Sequence, residues 1–273
     1  MPELPEVETQ VRDLQAVVGK KIIAITSDTH KAWKPSFAAS RKLIGKKILS
    51  ISRRAKYLVF KLEKRIVMVA HFRMTGHFLL AKSSKPLERF IRHSFQLSGG
   101  IFLQFSDIRK FATITVCAED SHQEVCKLVD LGIEPLEKSF TLSALKKAFQ
   151  NKKGMLKALL LNQSIIAGIG NIYADEICFN AKLHPASRVE NLKPEDFTKL
   201  HKAIQQELKK GVKNRGTTIG EYVDILGKHG KNQLSLKAYK QYGKPCSVCG
   251  KTMQKMKISQ RTTTFCAHCQ KKR

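Results

Sequence analysis

Two cysteine pairs near the C-terminal end constrain the fold of this chain more than any other feature. Cys246 and Cys249 form one CxxC pair, and Cys266 and Cys269 form a second pair after sixteen intervening residues. Each pair can turn two sulfurs toward one metal ion, and this spacing is typical of tetrahedral four-thiolate zinc sites. Because four protein ligands leave no open position for a substrate water, the pattern predicts one structural Zn²⁺ ion.

The segment between the pairs alternates like a strand on either side of Ser259-Gln260-Arg261. A turn flanked by two such runs indicates a β-hairpin, so we predict a zinc-pinned hairpin over residues 252–265. The other cysteines, Cys117, Cys126 and Cys178, are scattered among apolar residues. A total of seven is odd and argues against a full disulfide framework. We therefore expect these three to be small buried side chains in a reducing compartment.

The hydrophobic pattern changes its period along the chain. Apolar residues recur at spacings of three and four from Leu4 to Val18, which predicts an amphipathic helix ending near Gly19. β-rich runs separated by turn signals follow as far as residue 118 and predict a sandwich or barrel. Helical patterns come next, over residues 142–150, 155–162, 172–180 and 194–212. Strands followed by helices indicate an α+β protein with more than one domain.

Positive charge dominates the composition. The 273 residues include 50 Lys and Arg against 22 Asp and Glu, which gives a formal net charge of +28. Such a field attracts polyanions, and duplex DNA is a densely charged one. No apolar run approaches the ~18–20 residues of a membrane span, and no basic amphipathic helix or lipidation motif accompanies the charge. The charge by itself implies only nonspecific attraction.

The first residues, Met-Pro-Glu, contain a candidate nucleophile. Initiator methionine is normally removed before proline, and its removal would leave Pro2 with a free secondary amine. An α-amino group titrates near pH 8, well below a lysine, so a useful fraction is unprotonated at neutral pH. Attack of this amine on a sugar aldehyde carbon gives a positively charged iminium, which is an electron sink for elimination. The alternative from these residues alone is a segment that merely caps a helix.

The stretch Met1-Pro-Glu-Leu-Pro-Glu-Val-Glu8 resembles the opening of the formamidopyrimidine-DNA glycosylases, bacterial enzymes of base-excision repair. Other stretches resemble motifs of this family in the same order, so the resemblance spans essentially the whole chain. They are Arg53-Arg-Ala-Lys-Tyr57, His71-Phe-Arg-Met-Thr-Gly76, Asp107-Ile-Arg-Lys-Phe111, Leu131-Gly-Ile-Glu-Pro-Leu136, Gln163-Ser-Ile-Ile-Ala-Gly-Ile-Gly-Asn-Ile-Tyr-Ala-Asp-Glu176, Gly216-Thr-Thr218 and the hairpin with Gln260-Arg261.

This resemblance implies an α+β multidomain fold. An N-terminal helix plus a two-layer β-sandwich would precede a helical helix–two-turns–helix domain with a C-terminal β-hairpin zinc finger. We place the catalytic sandwich domain at residues 1–130 and the helix–two-turns–helix DNA-binding domain at residues 131–225. The lesion-loop segment and the four-cysteine zinc-finger hairpin would occupy residues 226–273.

The implied activity is that of a bifunctional DNA glycosylase and AP lyase. It would excise oxidised purines, chiefly 8-oxoguanine and formamidopyrimidines, from duplex DNA. Pro2 would attack C1′ of the damaged nucleotide, displace the base and form a Schiff base, and β,δ-elimination would cut the strand. Glu3 would act as the acid/base beside it, and Glu6 would orient the nucleophile or the site. Lys56 would contact phosphate and act in β-elimination, and Arg261 would grip phosphates and act in δ-elimination.

The family also implies residues that bind DNA. A lesion must leave the base stack, at a cost of a few kcal/mol, and something must fill the void. Met74, Arg109 and Phe111 match the family's apolar plug, its cation for the orphaned base and its aromatic wedge. Without the resemblance, Met74 and Phe111 would be interpreted as core residues at strand ends, and Lys56 as a solvated strand lysine. The phosphate-binding residues of the family match Lys152, Lys157 and Asn171.

Three stretches depart from the family pattern. Asp-Ile-Arg-Lys-Phe-Ala stands where the family usually reads Asp-Pro-Arg-Arg-Phe-Gly, which changes the turn around Arg109 and Phe111. A DNA-contacting histidine of the family falls near Phe90, and His93 could replace it only with a register shift. The loop at residues 227–232 has no aromatic residue after its two glycines, which puts the base preference in doubt.

Two alternatives stay open. The endonuclease VIII branch of the same superfamily removes oxidised pyrimidines, although Leu4 and the Val7-Glu8-Thr9 stretch favour the purine branch. A catalytically inactive zinc-ribbon DNA-binding protein is the second alternative, and Pro2, Glu3 and Lys56 argue against it. The acidic, proline-containing start argues against a secretory signal peptide. We expect a monomer in the bacterial cytosol, associated with the nucleoid, that binds double-stranded DNA and no membrane.

Overall fold

The computed structural model describes residues 1–29 and 31–273, and these form two compact units. Unit 1 contains residues 1–129 and 214–233, and unit 2 contains residues 130–213 and 234–273. The chain thus leaves unit 1, forms most of the helical part, and returns to unit 1 before the hairpin. The domain boundaries expected from the sequence place residues 214–225 in the helical domain, whereas their contacts group them with unit 1.

Unit 1 is a two-layer β-sandwich with a helix at its N-terminus. Helix α1 spans Leu4–Leu14, and a short helix α2 spans His122–Val125. The described strands pair in two sheets, of order β2-β9-β5-β4-β3 and β1-β7-β8-β6, and every neighbouring pair except β2 with β9 is antiparallel. The strands are β1 (Ile22–Ser27), β2 (Trp33–Lys34), β3 (Ile48–Arg54), β4 (Tyr57–Leu62), β5 (Ile66–His71), β6 (His77–Ala81), β7 (Ile91–Leu97), β8 (Ile101–Ser106) and β9 (Thr113–Ala118).

The apolar face of α1 joins the core of the sandwich. Val7, Val11 and Leu14 belong to one buried cluster with residues of both sheets, such as Phe60 and Phe78. The spacing of three and four puts these helical residues on one face. The α-helix ends at Leu14 rather than near Gly19, and a 3₁₀ turn over Gln15–Val17 follows it. The tighter turn accompanies full burial of Val17 in the same cluster.

Unit 2 confirms the predicted change to helical period. Its helices are α3 (Leu142–Phe149), α4 (Leu156–Leu161), α5 (Asn171–Asn180) and α6 (Pro194–Lys213). Strands β10 (Gln254–Ile258) and β11 (Arg261–Phe265) form the hairpin. Arg261 is the first residue of β11 and not a turn residue, because Ser259 and Gln260 alone adopt the positive φ angles, 48° and 59°, that close the turn.

The α+β fold implied by the sequence is confirmed: a helix and sandwich, a helical domain and a hairpin that carries four cysteines. Among residues 1–29 and 31–273, no helix is long and apolar enough to cross a membrane.

Candidate functional site

The start of α1 buries two carboxylates directly after Pro2. Pro2 is buried, and Glu3 and Glu6 are 2% and 1% exposed. The Glu6 carboxylate accepts a hydrogen bond from the Glu3 backbone N–H at 2.8 Å through Oε2. Its Oε1 accepts another from the Thr217 backbone N–H at 2.7 Å. Glu6 therefore fixes the backbone beside Pro2 and connects it to the segment that returns at residues 214–233.

A close approach at Gly216 makes this connection possible. A Cβ at Gly216 would lie 2.9 Å from Cγ of Glu6 and 2.8 Å from Cε1 of Tyr222, and φ at this glycine is +82°. A larger residue there would be strained by the backbone angle and would force the Glu6 or Tyr222 side chain to shift. The Tyr222 hydroxyl also donates to the Glu6 carbonyl at 3.2 Å. The Gly216-Thr-Thr218 stretch is thus a tight fit around the first turn of α1.

Lys56 lies in the two-residue turn between β3 and β4, after Ala55 with φ of 52°. It is only 7% exposed, so its interpretation as a solvated strand lysine is wrong. The next residue, Tyr57, packs edge-on against His71 with ring centroids 4.4 Å apart. Burial lowers the pKa of His71 to about 3, and the positive charges of Arg73 and Lys56 act in the same direction. His71 is therefore neutral at neutral pH.

The three residues matched to the void-filling set form one exposed cluster in unit 1. Met74 and Phe111 are 42% and 47% exposed, so their alternative interpretation as core residues is wrong. The Arg109 Nη1 lies 2.9 Å from the Met74 sulfur, and its guanidinium carbon lies 4.8 Å from the centre of the Phe111 ring. The cation thus sits between an apolar side chain and an aromatic face.

Asp107 holds the turn that presents this cluster, although the stretch after it departs from the family. Its Oδ1 accepts from the Thr75 hydroxyl at 2.5 Å, and its Oδ2 accepts from the Ala112 N–H at 2.9 Å. The Thr75 hydroxyl oxygen in turn accepts from the Arg109 N–H at 3.1 Å. A buried carboxylate therefore connects the segment after β5 to the one after β8, and the missing proline and glycine of the family pattern do not remove this tie.

In unit 2, the matched phosphate-binding residues fall into two environments. Lys152 is exposed, whereas Lys157 is 0% exposed and its Nζ lies 2.6 Å from Oδ1 of Asp175. Asn171 begins α5 directly after the Gly-Ile-Gly turn, and its Nδ2 donates to the Thr262 carbonyl at 3.3 Å. Arg261, the residue before Thr262, is exposed. The ammonium of Lys157 therefore has no open path to a phosphate in this structure.

The four cysteines of the two pairs converge on one point. Their sulfurs all lie within 4.8 Å of one another, with Cys246 and Cys269 at 3.9 Å and Cys249 and Cys266 at 3.5 Å. Tetrahedral bonds of about 2.3 Å would separate sulfurs by roughly 3.8 Å. A donor set of four thiols at this spacing fits a zinc ion. Such an ion would join the two ends of the hairpin and supply no reactive position.

Comparison with protein families and curated relatives decides the family. Models described as the formamidopyrimidine-DNA glycosylase N-terminal domain, its H2TH domain and a zinc finger found in FPG and IleRS match residues 1–114, 131–222 and 243–272. The formamidopyrimidine-DNA glycosylase of Pelotomaculum thermopropionicum is 39% identical over 99% of both chains. That of Protochlamydia amoebophila is 37% identical over 100% of both. The chain belongs to the formamidopyrimidine-DNA glycosylase family.

Solved structures of the family agree with this assignment. A complex of wild-type Lactococcus lactis Fpg with DNA containing N7-benzyl-Fapy-dG has a TM-score of 0.91 and 35% identity, and covers 99% of this chain and 100% of that one. A complex of the same relative with DNA containing an oxidised pyrimidine has a TM-score of 0.90 and the same coverage. The zinc-finger model of this DNA-repair glycosylase family matches residues 243–272, and this range contains the four converging cysteines.

Within this member of the family, His93 is a packed residue of unit 1. It is 1% exposed, its Nδ1 lies 2.6 Å from the Ser27 hydroxyl, and its ring stacks on Phe105.

The loop at residues 227–232 is held by hydrogen bonds from its backbone N–H groups to the side chains of Thr218 and Asp224. The Gly230 N–H donates to the Thr218 hydroxyl at 2.9 Å, and the Lys228 N–H donates to Asp224 at 3.0 Å.

Reasoning from the sequence missed the structural tasks of three groups, His71 and Asp107 in unit 1 and Glu176 in unit 2. Each lies in a quoted motif, so a signal existed, but no pattern distinguished its structural task. Glu176 shows the task most clearly, because its carboxylate accepts backbone N–H bonds of 2.8–3.2 Å from Lys237, Ala238 and Tyr239. It anchors the segment that leads into the zinc finger, which only the folded chain reveals.

Proposed function

We propose that this glycosylase is bifunctional: it excises 8-oxoguanine and formamidopyrimidines from duplex DNA and then cleaves the strand as an AP lyase. The secondary amine of Pro2, freed by removal of Met1, attacks C1′ of the damaged nucleotide. The base leaves, the sugar ring opens, and the amine and C1′ form a positively charged Schiff base. β-Elimination then breaks the bond from C3′ to its phosphate oxygen, and δ-elimination breaks the corresponding bond at C5′.

The observation that carries this proposal is the pair of buried carboxylates beside Pro2. Burying ionisable groups is costly unless they have partners or a task, and Glu6 has two backbone partners that fix the first turn of α1. Glu6 is thus the orienting group of the site. Glu3, 2% exposed, is the acid/base that assists ring opening and the proton transfers. Lys56 contacts phosphate and assists β-elimination.

The remaining groups handle the DNA. The exposed cluster of Met74, Arg109 and Phe111 enters the stack and fills the space that the flipped nucleotide leaves. Lys152 and Asn171 bind phosphates, and Arg261 grips the phosphates beside the lesion and acts in δ-elimination. Solved complexes of the Lactococcus lactis relative with lesion-containing DNA support DNA as the substrate. We further propose that the protein acts as a monomer in the bacterial cytosol, where a net charge of +28 favours salt-dependent search along undamaged DNA.

A borohydride trapping assay tests the chemistry and the substrate class together. The protein is incubated with labelled duplexes that contain 8-oxoguanine opposite cytosine, or thymine glycol opposite adenine, or no lesion. Borohydride reduces a Schiff base to a stable covalent complex. We expect trapping mainly with 8-oxoguanine. Preferential trapping with thymine glycol would support the pyrimidine-specific alternative, and binding without trapping of either duplex would support an inactive DNA-binding protein.

Two controls make the mechanism testable in detail. Pro2→Gly alone is not informative, because another amine can replace the nucleophile. A Pro2→Gly/Glu3→Gln double variant should lose base removal and strand cleavage, and full cleavage by this variant would overturn the assignment. An N-terminal mass measurement on the same sample determines whether Met1 has been removed and Pro2 is free to react; retained Met1 would mean a blocked nucleophile.

A further inference from the structure

Lys157 and Asp175 form an ion pair that is sealed inside unit 2. The side chains of both residues are 0% exposed, and Nζ lies 2.6 Å from Oδ1. Burial raises the pKa of Asp175 to about 7, although the Lys157 ammonium acts in the opposite direction. Taking two charges out of water costs several kcal/mol per ion, and an apolar pair of similar volume is often as stable. Stability alone therefore does not account for this pair.

Both members of the pair form hydrogen bonds with strand β11. The Lys157 ammonium donates to the Thr263 hydroxyl at 2.8 Å and to the Thr262 carbonyl at 3.3 Å. The Asp175 carboxylate accepts from the Thr264 backbone N–H at 3.1 Å. Three consecutive residues of β11 are thus held by one buried pair, and Arg261 directly precedes them.

The hairpin needs such a constraint along its length. A two-stranded hairpin is marginally stable by itself, and its metal ligands lie outside its two strands, with Cys266 directly after β11. A slip of β11 by one residue would turn every side chain to the opposite face. Thr263 bonds to the ammonium through its hydroxyl and Thr264 bonds to the carboxylate through its backbone, so the pair accepts only one register of the strand.

We propose that Lys157 and Asp175 are positioning residues for Arg261: their buried ion pair fixes the register of β11 and thereby the placement of the guanidinium. This inference rests on the proposed role of Arg261 in phosphate binding and δ-elimination. It replaces the expectation that Lys157 contacts phosphate directly.

The test uses the full-length zinc-bound protein and a charge-neutral replacement. Either single variant leaves a buried charge without its partner and risks misfolding, whereas Lys157→Met/Asp175→Leu removes both charges together. Lys202→Met, which removes an exposed ammonium from α6 in the same unit, is the matched control. Zinc content and thermal midpoint are measured first, and both should stay close to those of the unmodified protein.

The decisive readout is the ratio of δ- to β-elimination products from an abasic-site duplex. We expect this ratio to fall about tenfold in the double variant, while borohydride trapping at Pro2 persists and the Lys202→Met ratio is unchanged. An unchanged ratio in the double variant would overturn the inference. An unchanged ratio together with a slope of log affinity against log salt concentration that is smaller in magnitude by about one would also overturn it. That change in slope is the signature of a lost phosphate contact.

Hydrogen exchange separates this inference from the proposed function. The Thr264 amide should exchange faster in the double variant whether or not the protein cleaves DNA, and unchanged exchange would count against the positioning role. If the unmodified protein neither traps nor cleaves, the proposed function fails, and the exchange result still decides whether the pair fixes β11.

Discussion

The sandwich of unit 1 and the hairpin of unit 2 hold their functional residues by different means. Among the residues of the sandwich that the structure describes, a buried apolar cluster has 25 members and includes one face of α1. The cluster beside the hairpin contains five buried residues, Phe179, Ala238, Cys246, Met253 and Cys266, and two of these are metal-site cysteines. Hydrophobic burial therefore holds most of the length of α1, and the Glu6 hydrogen bonds add to it at the first turn. The hairpin instead depends on sulfur–metal bonds and on buried polar ties such as the Lys157–Asp175 pair.

Removal of the zinc should have the largest effect, and it should affect the hairpin of unit 2 but not the sandwich of unit 1. Chelation, or Cys269→Ser, leaves the hairpin with its small cluster and few polar ties, so we expect it to lose its structure. Strand cleavage should then fall by about 100-fold or more, because Arg261 is no longer placed. Hydrogen exchange should show loss of protection in β10 and β11 while the amides of β4 and β5 stay protected.

Cys126→Ser, which changes a half-buried cysteine of unit 1 outside the metal site, is the control and should retain cleavage. If chelation instead unfolds β4 and β5 together with the hairpin, the two parts are one cooperative unit and the contrast drawn from their cores is wrong.

Acid should weaken unit 1 through His71. Its pKa in the folded chain is about 3, against an ordinary value near 6.5. Below pH 6.5 the unfolded chain binds a proton that the folded chain does not, so the free energy of unfolding should fall as the pH falls from about 6.5 to 3. The upper bound of this loss is roughly 5 kcal/mol. Urea unfolding at a series of pH values, followed by a probe in the sandwich, measures it.

His71→Asn provides the comparison, because the amide oxygen keeps an acceptor for the Arg73 N–H that bonds to Nδ1 of His71 at 3.0 Å. Its unfolding free energy should vary less between pH 6.5 and 4 than that of the unmodified protein. Equal pH dependence of the unfolding free energy in the two proteins would mean that the pKa of His71 does not differ between the folded and unfolded chain.

Much of the architecture could be predicted, because hydrophobic period and cysteine spacing are local properties of the sequence. The helical period of α6 and the hairpin over residues 252–265 are examples. The return of residues 214–233 to unit 1 could not be predicted in this way, because it depends on the approach of Gly216 to Glu6. Lys157 illustrates the same limit in a side chain: its motif suits a phosphate contact, but only the fold places Asp175 beside it and closes it off from solvent.

The exposed cluster of unit 1 should respond to mutation in function but not in stability. Met74→Ala removes a side chain that is 42% exposed, so we expect the free energy of unfolding to change by less than about 0.5 kcal/mol. Excision of 8-oxoguanine should nevertheless slow by about tenfold, because the void in the base stack loses its apolar plug. Leu87→Ala, which truncates a 54% exposed residue of the same unit, should change neither quantity appreciably. A Met74→Ala protein that is clearly destabilised would show that Met74 supports the fold, and normal excision by a stable one would remove it from the void-filling set.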